Sequence, residues 1–515
     1  MASRAVFPTN GSSLIYTNQY TQSDFSYINY NPGDVPSTMV AANAECMIDF
    51  SYGSQTLQVA YITNATRTIK FTDFVGDGFG GEAGTRNGSG GIQWIPDIQT
   101  YRIYNTAEGM AQPGQFYWDK TANIVYYFPL PGKSPNSSTI IVPTTDRIFF
   151  YSGYGNIHPG GSGASPFTLS NLTLQVNAVN VEPEGNFGYL WDHESLFAIE
   201  TQAGGTGLSF LNCTMGSCGG NAIGADFGFV SNVNILNCTI SNCGGYGVAM
   251  RMAGPVVVSN NYIHDCGLIS WQSPGVRVNT NALVTQNNLF NFHTSAIADH
   301  DVDNCVFSLN SISNCMFTEE DMGAYYQYFG SYTTLAHPHG NVITSNLFQS
   351  VGTNYNNESA NTNSAAAVNK FRPAIYLDEQ SSNTLVSANQ TINCPTPSFL
   401  NIAFFNTLSN NVNINTNSVA GYDCVRRYAS TVFDDGQSSN NILVNNWDYG
   451  VATNVYDASS GSNNAYSTIS NNISYSTNAA GIAGLPAGFI TNNSTFPTLI
   501  LQQVPGGNGV QAFTP

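Results

Sequence analysis

Charge is scarce in this sequence of 515 residues: Asp, Glu, Lys and Arg together make up 9% of it. Basic residues are the fewest, with 14 Lys and Arg against 32 Asp and Glu and a formal charge of −18. Such a chain repels polyanions and cannot steer them from a distance, which excludes nucleic acid as a partner. Long apolar runs are missing too. None approaches the roughly 18 residues that a membrane span needs, so no transmembrane helix is expected. The opening MASRAVFPTNGSSL lacks the basic-then-apolar pattern of an export signal, which would then be removed or lie upstream. Helical periodicity is nearly absent, and Gly and Asn turns follow one another too closely for a helical bundle. No His joins the cysteines at zinc-ligand spacing, so neither a metal nor any other cofactor is expected.

Asn, Ser, Thr, Gly and Tyr are abundant instead. Sequons at Asn64, Asn136, Asn171 and Asn389 point weakly to secretion, because this composition produces them by chance. A pI near 4.5 suits an acidic exterior, since few carboxylates are present whose protonation would unbalance the fold. An extracellular location is the expectation.

From about Gly207 to Ala420 the sequence repeats imperfectly every 20 to 30 residues or so, the range of a solenoid coil. NAIGADFG is followed by VNILNCTISNCGG, YGVAMRMAG by VVVSNNYIHDCG, PGVRVNTN by ALVTQNNLFNFHT, and SAIADHD by CVFSLNSISNCMF. Then GAYYQYFG leads to NVITSNLFQSVG, and AIYLDEQS to TLVSANQTINC. Each phrase holds short β-branched runs of period two and an Asn near the turn, where it can stack on Asn of neighbouring coils and bond their backbone. The fold expected is therefore all-β: a right-handed parallel β-helix, with a β-rich accessory region over residues 1–165 and coils over 166–515. A propeller is disfavoured because its repeat is nearer 40 residues. Within the first region FYWDKTANIVYYFPLPG predicts an aromatic hairpin about a Thr-Ala-Asn turn. After Cys424 the coils become less regular. Cys213 and Cys238 lie one coil apart, as do Cys218 and Cys243, which stacks them inward as small apolar groups rather than in disulfides or a metal site.

Aligning the first strand of each coil places Ile223, Val248, Val276, Ile297, Ala324 and Ile375 in one inward column. Alternation then gives an outward column of Gly224, Ala249, Arg277, Ala298, Tyr325 and Tyr376, and a second of Asp226, Arg251, Asn279, His300, Gln327 and Asp378. The second is polar throughout. With coils about 4.8 Å apart, a polar stripe beside an aromatic one suits a sugar chain. Solvated polar residues are the ordinary state of a solenoid exterior, but here scarce charges gather in one place.

The phrases TEEDMGAYYQYFG, GNVITSNLFQSVG and AIYLDEQSSNTLVSANQTINC, with the aromatic hairpin, resemble the core of glycoside hydrolase family 141-like β-helix proteins over roughly residues 40–420. The resemblance implies two acidic catalytic residues, matching Asp321 and Asp378. Glycoside hydrolysis needs a proton donor and a nucleophile or base, about 5 Å apart for retention and about 6.5–9.5 Å for inversion. Asp321 precedes the strand position of Asp378 by six residues, roughly 20 Å if extended, so the Glu319-Glu320-Asp321 turn must bend. Failing that, Glu379 or His300 is the better partner. Arg251, Arg277, Tyr325, Tyr376, Gln327, Asp226 and His300 are the expected substrate contacts. His337 and His339 read as loop residues. Such proteins usually carry coils before the hairpin, and RAVFPTNGSS arrives almost at once, which reads as part of a longer protein or one completed by another copy. Two other functions fit the fold: a polysaccharide lyase or uronate epimerase, and a tail-spike-like or adhesin-like carbohydrate binder without catalysis.

Overall fold

The structure is a computed structural model. It describes residues 3–9, 14, 27–50, 53–72, 98–134, 136, 139, 141, 143, 145, 147–152, 166–177, 186–187, 195–200 and 205–414, the last without 228–229, 251–253, 271–272, 301, 318–321, 330–338, 353–371, 395 and 402; beyond these it describes 440–449, 468–475 and 489–491. Among them the coils form three long parallel sheets of nine, eleven and twelve strands, the architecture of a right-handed parallel β-helix. The first sheet begins at Phe149–Ser152 and runs through Asn221–Phe227, Ile297–His300, Tyr325–Tyr328 and Pro373–Leu377 to Thr396–Leu400. The second runs from Phe167–Ser170 to Thr468–Ser470, and the third from Thr173–Gln175 to Phe489–Thr491. Inward residues such as Phe210, Ile235, Val258, Val284 and Phe307 stack in register and are fully or almost fully buried.

The corner between the second and third sheets explains why asparagines come in pairs. Asn260, Asn410 and Asn445 adopt left-handed backbone, with φ of 55°, 56° and 57°, a conformation that Asn tolerates better than most residues. The next residue in each case, Asn261, Asn411 or Asn446, is buried. It joins a ladder through Asn287, Asn310, Asn346 and Asn389. In each rung the backbone N–H and side-chain amide of one Asn donate to the Oδ1 of the Asn one coil on, at 2.9–3.1 Å. The same amide also donates to a carbonyl of the preceding coil, as Asn287 does to Val258 at 2.9 Å. Asn389 therefore gives its sequon side chain to the interior, where no glycan can reach it.

The described cysteines are buried, and three of them do more than fill space. Cys213 and Cys238 hold the ladder position in the early coils. The Cys213 N–H donates to Cys238 Sγ at 3.4 Å, the Cys238 N–H donates to Asn261 Oδ1 at 2.8 Å, and the Cys238 thiol reaches the Phe210 carbonyl at 3.6 Å. A second corner repeats the device: Ala282 N–H donates to Cys305 Sγ, and the Cys305 N–H to Asn341 Oδ1. Burial pushes the Cys238 thiol up to about 11, so it stays protonated and able to donate.

The N-terminal strands make a separate antiparallel sheet in the order Val6–Phe7, Ile98–Tyr104, Glu45–Phe50, Gly53–Thr63, Thr68–Phe71, Tyr27–Asn29, with its own core around Ile48, Leu57, Tyr101 and Ile103. The expected hairpin is present as Gln115–Asp119 against Ile124–Tyr127. Asp119 Oδ1 accepts the N–H groups of Thr121 and Ala122, and Asn123 turns the chain at φ 54°.

Replacing Asn310 by Ala would strand the Asn287 N–H and the Val284 carbonyl, which it now satisfies. With about 1–3 kcal/mol for each of these two buried groups left unmet, a loss of about 2–6 kcal/mol is expected as a lower unfolding midpoint in thermal or denaturant melts. Leu309→Asn, at φ 57°, is expected to raise the midpoint in the same assay, since Asn accepts that backbone more readily than Leu.

Candidate active site

The outer face of the first sheet carries the site, and its register differs from the sequence expectation by one residue. Ile297 pairs with Tyr325, not with Ala324, and Tyr325 with Ile375. A slip of one residue turns every side chain of that strand to the other face. Tyr325 and Gln327, expected as substrate contacts, therefore point inward and are 1% and 0% exposed. What makes an inward tyrosine tolerable is a buried polar network. The Tyr325 hydroxyl lies 2.9 Å from Asp299 Oδ2 and 3.1 Å from Gln327 Oε1, and the Gln327 amide donates to Thr384 Oγ1 at 3.0 Å.

The outward positions of that strand are Tyr326 and Tyr328 instead. One outward column now reads Arg277, Ala298, Tyr326, Tyr376 and Phe399 across successive coils. In the other, His300 pairs with Tyr328, and the Asp378 N–H bonds the Gln327 carbonyl while the Asn401 N–H bonds the Leu377 carbonyl, which sets Asp378 and Asn401 next in line. His300 meets Tyr326 and Tyr328 edge-on, with ring centres 5.7 and 5.5 Å away. Tyr326 in turn meets Tyr376 at 5.2 Å, and Tyr376 meets Phe399 at 4.6 Å.

Asp378 lies beside Tyr326 and Tyr376 and is 5% exposed although it is on the outer face. The Tyr326 hydroxyl donates to its Oδ2 at 2.7 Å and the Asn401 amide to its Oδ1 at 2.8 Å. Burial raises the proton affinity of this carboxyl; the bonds from Tyr326, Asn401, the Glu379 backbone and Tyr376 oppose that rise without cancelling it. The result is an oriented carboxyl that keeps its proton to higher pH than an ordinary Asp, the condition a general acid requires.

The other expected residues fall variously. Glu379 follows Asp378 and is half-buried, its carbonyl accepting the Phe329 N–H at 3.1 Å. Arg277 is 8% exposed in the aromatic column. Asp321, Arg251 and His337 lie outside the described residues, and so does the side chain of Asp226. His339 is more than a loop residue: its Nδ1 lies 2.7 Å from Asp303 Oδ1, and its ring stacks on Phe329. Tyr326, Tyr328 and Asn401 were not expected. Tyr326 and Tyr328 were hidden by the register, and Asn401 ends a coil, TPSFLN, that the aligned phrases stop short of.

Residues 161–337 match the family described as "Right handed beta helix region". Among solved structures, one titled "Glycoside hydrolase" superposes with a TM-score of 0.50 at 13% identity, covering 84% of this chain and 76% of that one. The DFA-IIIase from Arthrobacter chlorophenolicus A6 gives 0.35 at 12% identity, over 60% and 70%. The catalytic unit of a thermostable GH87 alpha-1,3-glucanase from Streptomyces thermodiastaticus strain HF3-3 gives 0.27 at 10% identity, over 96% and 99%. No curated protein sequence matches. At 13% identity the likeness at a TM-score of 0.50 speaks to the fold alone.

The raised proton affinity of Asp378 makes a stability prediction. The folded state binds this proton more tightly than the unfolded chain, so its contribution is fully present at low pH and is lost as pH rises through the raised value. Asp378→Asn cannot ionise. Its unfolding midpoint relative to the parent is expected to climb with pH over that interval and then level off, measured by melts from pH 3 to pH 8.

Proposed function

We propose that the chain is a glycoside hydrolase that cleaves a polysaccharide or oligosaccharide on the outer face of the first sheet, with Asp378 as the proton donor to the leaving oxygen. The observation that carries this reading is the Asp378 carboxyl: buried, fixed through both oxygens, and biased towards its protonated form beside the packed rings of Tyr326 and Tyr376. Tyr328, partly exposed beside His300, offers its ring and hydroxyl to a sugar, while Tyr326 and Tyr376, 8% and 1% exposed, orient the Asp378 carboxyl. His300 stands at the edge of the same cluster. The second carboxylate that hydrolysis requires is Asp321, on the resemblance to family 141-like proteins, with Glu379 as the adjacent alternative. The solved structure titled "Glycoside hydrolase" that shares the fold supports the chemistry as a fold-level analogy. Action outside the cell and an acidic setting go with this reading, since a proton donor must still hold its proton at the working pH.

The test is incubation with a panel of plant, bacterial and algal polysaccharides, following new reducing ends and the ultraviolet absorbance of unsaturated uronates. Reducing ends without that absorbance are expected, and Asp378→Asn should cut the rate ~10²–10⁴-fold. Activity should fall as pH rises past the Asp378 titration. Tyr326→Phe, which deletes a bond that opposes the raised proton affinity, should move that descending limb to higher pH. Unsaturated products would replace hydrolysis by elimination; full activity in Asp378→Asn would remove Asp378 from the chemistry.

A further inference from the structure

The outer face of the second sheet carries an aliphatic column beside a hydroxylic one. Its first outward column includes Val257, Leu283, Val306, Val342 and Leu385 in consecutive register, with Ile442 two coils on. Leu283, Leu385 and Ile442 are 36%, 37% and 41% exposed. The neighbouring outward column is hydroxylic from Ser259 through Thr285, Ser308, Thr344 and Ser387 to Ser409. Its hydroxyls bond one another along the axis, Thr285 to Ser308 at 3.0 Å and Ser387 to Thr344 at 3.1 Å. No outward position of this eleven-stranded sheet holds a Lys, Arg, Asp or Glu. The chain as a whole carries −18, so an uncharged face of this length lets two copies approach with little repulsion.

Its size fits such a contact. Eleven strands at about 4.8 Å spacing make a strip about 48 Å long, and three to four residues at about 3.3 Å give it a width of about 10–13 Å. About 500–600 Å² per copy, or about 1,000–1,200 Å² for two, reaches the lower edge of a specific interface. Apolar residues in a flat central stripe beside a polar one match the anatomy of such contacts.

We infer that this face is where two copies of the chain meet, the aliphatic column of one packing on the same face of the other. Because the contact is uncharged and the rest of each copy is acidic, salt should strengthen it by screening the repulsion between copies. Sedimentation velocity of the full chain from about 1 to 100 μM, at low and high salt, tests this. A species of twice the 55.2 kDa chain mass, growing with concentration and with salt, is expected. Leu283→Lys with Leu385→Lys should return it to one chain mass. Ser308→Arg, at a position already polar and so tolerant of folding, should weaken it as well. A single chain mass across the whole range would overturn the inference, as would a dimer unaffected by both variants, which would place the contact elsewhere. If the parent is monomeric but sediments with an insoluble uncharged polysaccharide and the variants do not, the inference is likewise overturned and the occupant of the face is the glycan.

Discussion

The asparagine ladder is the interaction on which the rest of the molecule depends. A solenoid coil is only two or three strands of three to five residues and cannot hold its own shape. Each corner turns the chain sharply and leaves backbone N–H and C=O groups inside, where water cannot reach them. The ladder amides meet those groups and at the same time tie each coil to the next. A coil displaced by one residue would lose these bonds and turn its outward side chains inward. The position of Asp378 beside Tyr326 therefore depends on bonds made at the corners. Cys213 and Cys238 show that the requirement is for a donor and an acceptor of the right size rather than for an amide alone.

The face around Asp378 makes the opposite demand. The ladder asparagines are arranged so that their buried amides are met, while Asp378 is enclosed on the outer face at a cost to its ionised form. Tyrosine hydroxyls and the Asn401 amide limit that cost without removing it. Such a conflict between local stability and burial of a titratable group is common where a carboxyl must hold its proton near working pH.

Much of this architecture was legible in the chain. The recurring phrases gave the coils, the Asn near each turn announced the ladder, and the Thr-Ala-Asn segment gave the hairpin. The ends of the coil array were harder, since Phe149–Ser152 carries no repeat phrase yet joins the first sheet. The register of GAYYQYFG was not readable, because a run of Tyr at both alternating phases looks amphipathic either way. What decides it is Asp299, one coil earlier, which supplies an internal partner for the Tyr325 hydroxyl. Asp378 was recognisable as an acid in an otherwise apolar strand. Asn401 was not, because its role depends on a neighbour in the preceding coil rather than on any local pattern.

The even spacing of the coils has a metric consequence. Along the groove a side chain can be relocated only in whole coils, about 4.8 Å at a time, or across it by two residues within a strand. Reach towards a substrate is thus quantised, and gradual sliding of a contact is unavailable to such a scaffold. Duplicating or deleting one coil would lengthen or shorten the groove by a fixed step while leaving the lateral order of rings and carboxyl intact. Recognition of longer or shorter chains is then a matter of counting coils, and refinement within a step falls to the choice of side chain.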